Sequence, residues 1–252
     1  MSALKSIYIA GHKGLAGSAI YDEFIKSSEY EVIVKTHAEL DLEDKNSTLE
    51  FFKANKPDYV VLCAAKVGGI MANTNYPADF LMKNLSIQQN VFEAAFASGV
   101  KRLIFLGSSC IYPKLAKQPI NEDQLLTGPL EFTNRPYAIA KIAGVEACWS
   151  YNRQFGKQYL ALMPTNLYGV GDNYHPENSH VFPALIRKFH EAKVTGERVV
   201  KVWGSGKPLR EFLCATDLGK AVKFFLDFDE VKFEQLTKNN KNVPLINIGY
   251  GS

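Results

Sequence analysis

The chain has 252 residues, 46% of them hydrophobic and 22% charged, with a formal net charge of +3. That length allows a sizeable core in one large domain or two intimate ones, and so small a charge excess argues against nucleic acid or a membrane surface as partner. There is no long apolar run to span a membrane and no signal-peptide core, and Cys63, Cys110, Cys148 and Cys214 are too scattered for a disulfide scaffold or a zinc site, so a cytoplasmic chain with reduced thiols and no metal is expected.

In chain order, Ser6 to Ala10 predicts a strand, and a helical pattern runs through Ala19, Ile20, Phe24 and Ile25. Between them stands Gly11-His12-Lys13-Gly14-Leu15-Ala16-Gly17, a G-x-x-G-x-x-G turn. Glycines there permit a tight turn, close approach of backbone to a pyrophosphate and close helix–strand packing. The N–H groups and dipole of the following helix favour the phosphate charge. A turn that merely joins strand to helix is the alternative, but strand before and helix after favour nucleotide binding.

The second strand, Glu31 to Val34, ends in Lys35-Thr36-His37 and lacks the acidic residue that often meets an NAD ribose there. Lys13, Lys35 and His37 could gather a 2′-phosphate, so NADP(H) is preferred over NAD. Lys45 to Asn55 predicts a helix, and Pro57 to Ala65 a buried strand that runs into a small-residue loop, Lys66-Val67-Gly68-Gly69, at the same sheet edge. Asn84 to Ser98 predicts an amphipathic helix ended by Gly99.

Leu103 to Leu106 predicts a fourth strand that turns abruptly small and polar at Gly107-Ser108-Ser109-Cys110. Tyr137 and Lys141 stand four apart on a helical pattern that continues toward Tyr151, so they share one face. A lysine ammonium beside a phenol is expected to lower the phenol's pKa, and a strand-end serine, Ser108 or Ser109, can help polarise a carbonyl. Leu160 to Met163 is the next strand, followed by Pro164-Thr165-Asn166-Leu167.

From Val170 the text turns polar, and 170–180 looks like a lid or binding loop. Val181 to Lys193 predicts a helix, Val199 to Trp203 a short strand, Asp217 to Phe225 a helix and Pro244 to Gly249 a last strand; Phe233 to Asn242 is read as a surface loop. Alternating strands and helices predict an α/β fold, a doubly wound, mostly parallel Rossmann-type sheet. Residues 1–169, rejoined by 217–252, are expected to form the NADP(H)-binding domain, and 170–216 a smaller substrate-binding region.

A strand-end serine followed by Tyr-x-x-x-Lys resembles the short-chain dehydrogenase/reductase family. The runs 9–15, 64–70, 107–119, 136–144 and 163–169 are similar to its extended branch, in members that act on GDP-sugars. The resemblance covers nearly the whole chain. It implies GDP-4-dehydro-6-deoxy-D-mannose as substrate, inversion at C3 and C5, and NADPH reduction of the C4 ketone to give GDP-L-fucose. It assigns Cys110 as base and His180 as acid for the inversions, both groups that ordinarily titrate near neutral pH. Tyr137 then protonates the C4 oxygen, Lys141 tunes it and binds the nicotinamide ribose, and Ser108 holds the oxygen. The cofactor contacts it implies are residues 11–17, His37, Asp41, Leu106, Gly107, Ser108, Ser109, Lys141, 164–167 and His180, with Lys188, Trp203 and Arg210 on the GDP-sugar and a homodimer as the assembly. Three departures accompany it. Lys13 and His37 stand where arginine is frequent, Cys214 stands where histidine is frequent, and a C-terminal part of the substrate-binding region is expected to be missing. The rival readings are a GDP-sugar 4-reductase, another nucleotide-sugar epimerase, or a non-catalytic NADP(H)-binding sensor. The pair Cys110 and His180 argues against the first, and retention of Ser108, Tyr137 and Lys141 against the last.

Overall fold

The computed structural model describes residues 4–176, 179–202, 204–207, 209–238 and 244–251. Strands β1 (Lys5–Ala10), β2 (Tyr30–Ile33), β3 (Tyr59–Leu62), β4 (Arg102–Leu106), β5 (Gln158–Pro164) and β8 (Leu245–Ile248) form one sheet in the order β2-β1-β3-β4-β5-β8, every pair parallel. β6 (Asn166–Tyr168) and β7 (Phe212–Cys214) pair with each other outside it. The doubly wound α/β reading holds. The order turns back between β1 and β3, the place where such sheets open a crevice at their carboxyl edge.

Alternation along the strands divides the core. Ile7 and Ile9 of β1 face one layer with Phe24, Val61, Ile104 and Leu162. Tyr8 and Ala10 face the other with Phe52, Val60, Phe92 and Phe105. The first layer is closed by α1 (Leu15–Phe24), α7 (Ala215–Leu226) and α8 (Glu230–Thr237), the second by α2 (Lys45–Asn55), α4 (Pro77–Ala97) and α5 (Arg135–Phe155). Each parallel crossover needs such a helix, which is why the strands read as unbroken apolar runs.

The helix ends follow local chemistry. The Asp44 carboxylate accepts from Ser47 N–H at 2.7 Å and caps α2. Pro136 lies in the first turn of α5, and Gly156, at φ 63°, ends it in the left-handed region. At the far edge of the sheet Arg102 is buried. Its guanidinium donates to the carbonyls of Leu226 and Phe228 and to Gln158, and lies 4.3 Å from the centre of the Phe233 ring.

Three expectations change and one short helix is added. Residues 199–202 carry no strand, and Trp203 lies outside the described residues. The stretch from Phe233, read as a loop, begins inside α8, where one buried ring packs while the polar residues face out. A short helix, α3 (Ile70–Asn75), occupies the turn after the Gly68-Gly69 loop. The helix expected from Asn84 begins earlier, at Pro77, whose missing N–H suits a first turn. The remaining helix, α6 (Val181–Thr195), follows the 170–180 loop.

Candidate active site

The carboxyl edge of the sheet opens into a cavity of about 850 Å³. All the expected cofactor contacts line it: residues 11–17, His37, Asp41, Leu106, Gly107, Ser108, Ser109, Lys141, Pro164 to Leu167 and His180. At its floor, Gly11 has φ +88°, and Gly14 N–H donates to the Gly11 carbonyl at 3.0 Å. A Cβ on Gly17 would stand 2.1 Å from that carbonyl oxygen, and one on Gly11 2.7 Å from Ala64 N. Side chains there would fill the cradle, so the glycines are required sterically.

One end is ionic. Lys13, Lys35, Thr36, His37 and Asp41 line it. Lys35 stands 3.8 Å from Glu39, and the His37 ring 3.6 Å from Asp41. Opposite, the 66–69 loop is held by two asparagines to which the sequence assigned no role at the site. Asn84, almost fully buried, accepts from Lys66 N–H at 2.9 Å and donates to the Lys66 carbonyl at 3.0 Å. Asn73 donates to the carbonyls of Gly68 and Gly69. Lys66, from the loop already placed at this sheet edge, and Lys83 also line the cavity, and neither was expected as a contact. Their only signal was a lysine beside a small-residue loop and another beside a helical asparagine.

The other end gathers Ser108, Tyr137 and Lys141, with Cys110 beside them. Ser108 follows β4, and Cys110 lies in the 3₁₀ turn Ser109–Ile111. Tyr137 and Lys141 rise from the first turns of α5, which can approach β4 closely because Gly144 faces the Phe105 ring; a Cβ there would be 2.3 Å from it. Tyr137 packs edge-on to Phe80, ring centres 6.1 Å apart. Lys141 Nζ donates to the Leu106 carbonyl at 2.8 Å. His180 precedes the first turn of α6 and faces the same cavity as Ser108, Tyr137 and Lys141.

Electrostatics separate these groups. Burial pushes the Tyr137 phenol far up, Cys110 adds to the rise, and a hydrogen bond from Ser108 opposes it. Burial also pushes the Cys110 thiol up to about 11, against the Ser108 hydrogen bond and the Lys141 charge. Burial lowers the Lys141 ammonium to about 8, with Cys110 and Cys63 working the other way. Two expectations are corrected here. Tyr137 is held as a neutral phenol, because loss of water around it outweighs any help from Lys141. Cys110 does not titrate near neutral pH in the unliganded chain, for the same reason. Of the two serines, Ser108 faces both Tyr137 and Cys110, whereas Ser109 is exposed at the rim.

Among the described residues, two of the expected sugar-nucleotide contacts, Lys188 and Arg210, stand outside this lining. Lys188, on α6, reaches the Lys201 carbonyl at 3.5 Å, and Arg210 donates to the Leu209 carbonyl; neither lines the cavity. Trp203 lies outside the described residues. Gly171, Asp172 and Asn173 of the 170–180 loop do line it. Among the described residues no helix is long and apolar enough to cross a membrane.

Residues 7–237 match the model of the NAD dependent epimerase/dehydratase family. The chain is 58% identical over 221 residues to GDP-L-fucose synthase 1 of Arabidopsis thaliana, covering 88% of this chain and 68% of that one. It is 54% identical over 215 residues to GDP-L-fucose synthase of Escherichia coli K12, covering 85% and 67%. Among solved structures it resembles a GDP-mannoheptose C4 reductase from Campylobacter jejuni with NADP bound, at TM-score 0.88 and 37% identity, over all of this chain and 82% of that one. The chain thus spans about two thirds of the length of these curated relatives.

Proposed function

The chain belongs to the NAD dependent epimerase/dehydratase family, and on that footing we propose that it makes GDP-L-fucose from GDP-4-dehydro-6-deoxy-D-mannose. It inverts C3 and C5 of the sugar and then reduces C4. One observation carries the reading. Ser108, Tyr137 and Lys141 line one end of a single cavity with His180 in its wall, and Cys110 stands beside that lining, against Ser108 and near Lys141. Relatives more than half identical to it bear the name of that activity.

NADP(H) fits the other end. The glycine cradle admits a pyrophosphate, lysines and a histidine surround the place of a ribose 2′ substituent, and the buried His12 Nδ1 and Thr165 Oγ1 in the wall have no partner among the described residues. When bound, the dinucleotide supplies the hydride for C4.

The chain's own groups supply the protons. The C4 ketone acidifies the hydrogens on C3 and C5. Cys110 removes one of them as thiolate, and His180 returns a proton to the opposite face, leaving the carbon inverted. Burial leaves the thiol at about 11 even with the help of the Ser108 hydroxyl and the Lys141 ammonium, which favour that thiolate, already included, so only a small fraction is ionised at neutral pH. The keto oxygen rests against Ser108 and Tyr137. Because Tyr137 keeps its proton, it can donate to that oxygen as charge develops.

Residues 170–216 form the substrate-binding region in this reading, with the 170–180 loop over the sugar. The exposed apolar residues Met82 and Phe96 of α4 and Ile139 and Phe155 of α5 support a homodimer through those helices, and the free thiols suit a reducing cytoplasm. A GDP-sugar 4-reductase is the second reading, favoured by the Campylobacter jejuni likeness. Product analysis separates them: protein, NADPH and GDP-4-dehydro-6-deoxy-D-mannose should yield GDP-L-fucose. A product reduced at C4 with C3 and C5 uninverted would establish the reductase instead.

A further inference from the structure

We infer that Glu39 is an internal competitor for the cofactor's 2′-phosphate and thereby sets how strongly the chain prefers NADPH to NADH. The inference rests on the NADP(H) reading above.

Thr36 lies just beyond β2, where dinucleotide folds meet the adenosine ribose, and it lines the cavity. Its backbone N–H and its hydroxyl both donate to one oxygen, Glu39 Oε2, each at 2.8 Å. Lys35 Nζ stands 3.8 Å from the other oxygen of the same carboxylate. Lys13, on the glycine turn, also stabilises that negative charge, after the two Thr36 hydrogen bonds and Lys35. Two converging donors and two ammonium groups are what a phosphate oxygen seeks. A carboxylate belonging to the chain itself takes up these donors.

The two dinucleotides meet this arrangement differently. A 2′-phosphate carries up to two negative charges near neutral pH, and it must displace Glu39 or share Lys13, Lys35 and Thr36 with it. A ribose hydroxyl brings no charge and leaves the carboxylate where it is. Glu39 therefore opposes NADPH and spares NADH. The neighbouring His37 ring stands 3.6 Å from Asp41, a second carboxylate at this end.

Thr36-x-x-Glu39 also has the form of a capping box, in which the glutamate simply satisfies the Thr36 N–H. Glu39→Gln separates the two roles, since the amide oxygen can still accept from Thr36 while the charge is gone. Glu39 is more than half exposed, so the substitution leaves the core intact.

The test is a fluorescence titration of NADPH and of NADH against wild type, Glu39→Gln and Glu39→Lys, at low and high salt. The expected result is NADPH binding about three- to fivefold tighter in Glu39→Gln, tighter again in Glu39→Lys, with NADH unchanged. The gain should shrink as salt screens it. An unchanged ratio of the two affinities, an equal gain for both dinucleotides, or weaker NADPH binding would overturn the inference and leave Glu39 a cap. Failure of the wild type to bind either dinucleotide would instead overturn the NADP(H) reading.

Discussion

Lys141 gives its 2.8 Å hydrogen bond to the Leu106 carbonyl at the end of β4, with its ammonium 5.7 Å from the centre of the Tyr137 ring. The lysine is thus tied to the strand whose continuation carries Ser108 and Cys110. It locks helix α5 to that strand end and places a positive charge between two thiols, Cys63 and Cys110.

Lys141 has a cost that pH should reveal. Its pKa falls from 10.5 to about 8 because it is buried. Below pH 8 it is charged both folded and unfolded, and the full penalty for burying the charge is present. Between 8 and 10.5 the unfolded chain holds more protons, so this group's contribution to stability rises with pH. Urea denaturation of wild type and Lys141→Met at pH 7 and pH 10.5 should show wild type gaining on the variant by roughly 3 kcal/mol. A stability difference independent of pH would contradict the placement of a charged lysine there.

Tyr137 is held neutral by burial, and in the proposed mechanism it donates to the C4 oxygen as charge develops there. Tyr137→Phe should cut NADPH oxidation by about 10²–10⁴-fold, while proton exchange at C3 and C5 continues. A stopped assay for deuterium in recovered substrate checks this. Loss of exchange together with reduction would mean that Tyr137 serves both steps.

Cys110, at about 11, is protonated at neutral pH. If its thiolate is the base, exchange should accelerate by about tenfold per pH unit in the range where the thiol is still mostly protonated. Exchange rates at saturating substrate between pH 6.5 and 8.5 test it. A flat profile would assign the base to another group, or show that bound substrate has already ionised the thiol.

Gly17 is fixed by contact, not by turn geometry. A Cβ there would lie 2.1 Å from the Gly11 carbonyl oxygen. Gly17→Ala should therefore push α1 off the glycine turn, abolish NADPH binding and lower stability by about 2 kcal/mol or more. Calorimetric titration and thermal denaturation measure the two effects. Unimpaired binding would show that the cradle is looser than it looks.

What was legible in the sequence was periodic. The buried strands, the glycine turn and Tyr137 four residues before Lys141 each carry a local signal, and the parallel order follows from the helices between them. Two kinds of feature were not legible. One is enclosure: nothing in the text around Cys110 or Tyr137 states how much protein surrounds them, and that burial raises both groups against the expected direction. The other is support from a distance. Asn84 holds Lys66 across 18 residues, and the single buried ring of Phe233 turns an otherwise polar stretch into a helix packed beside Arg102.

Cys110 and His180 must share one chamber with the sugar for any of this chemistry to run. Incubating the protein with NADPH and GDP-4-dehydro-6-deoxy-D-mannose in deuterated water, followed by NMR of the product, reads that directly. Solvent deuterium should appear at C3 and C5 of GDP-L-fucose, and Cys110→Ser and His180→Gln should each suppress that labelling. NADPH consumed at the full rate with hydrogen retained at both carbons would contradict it.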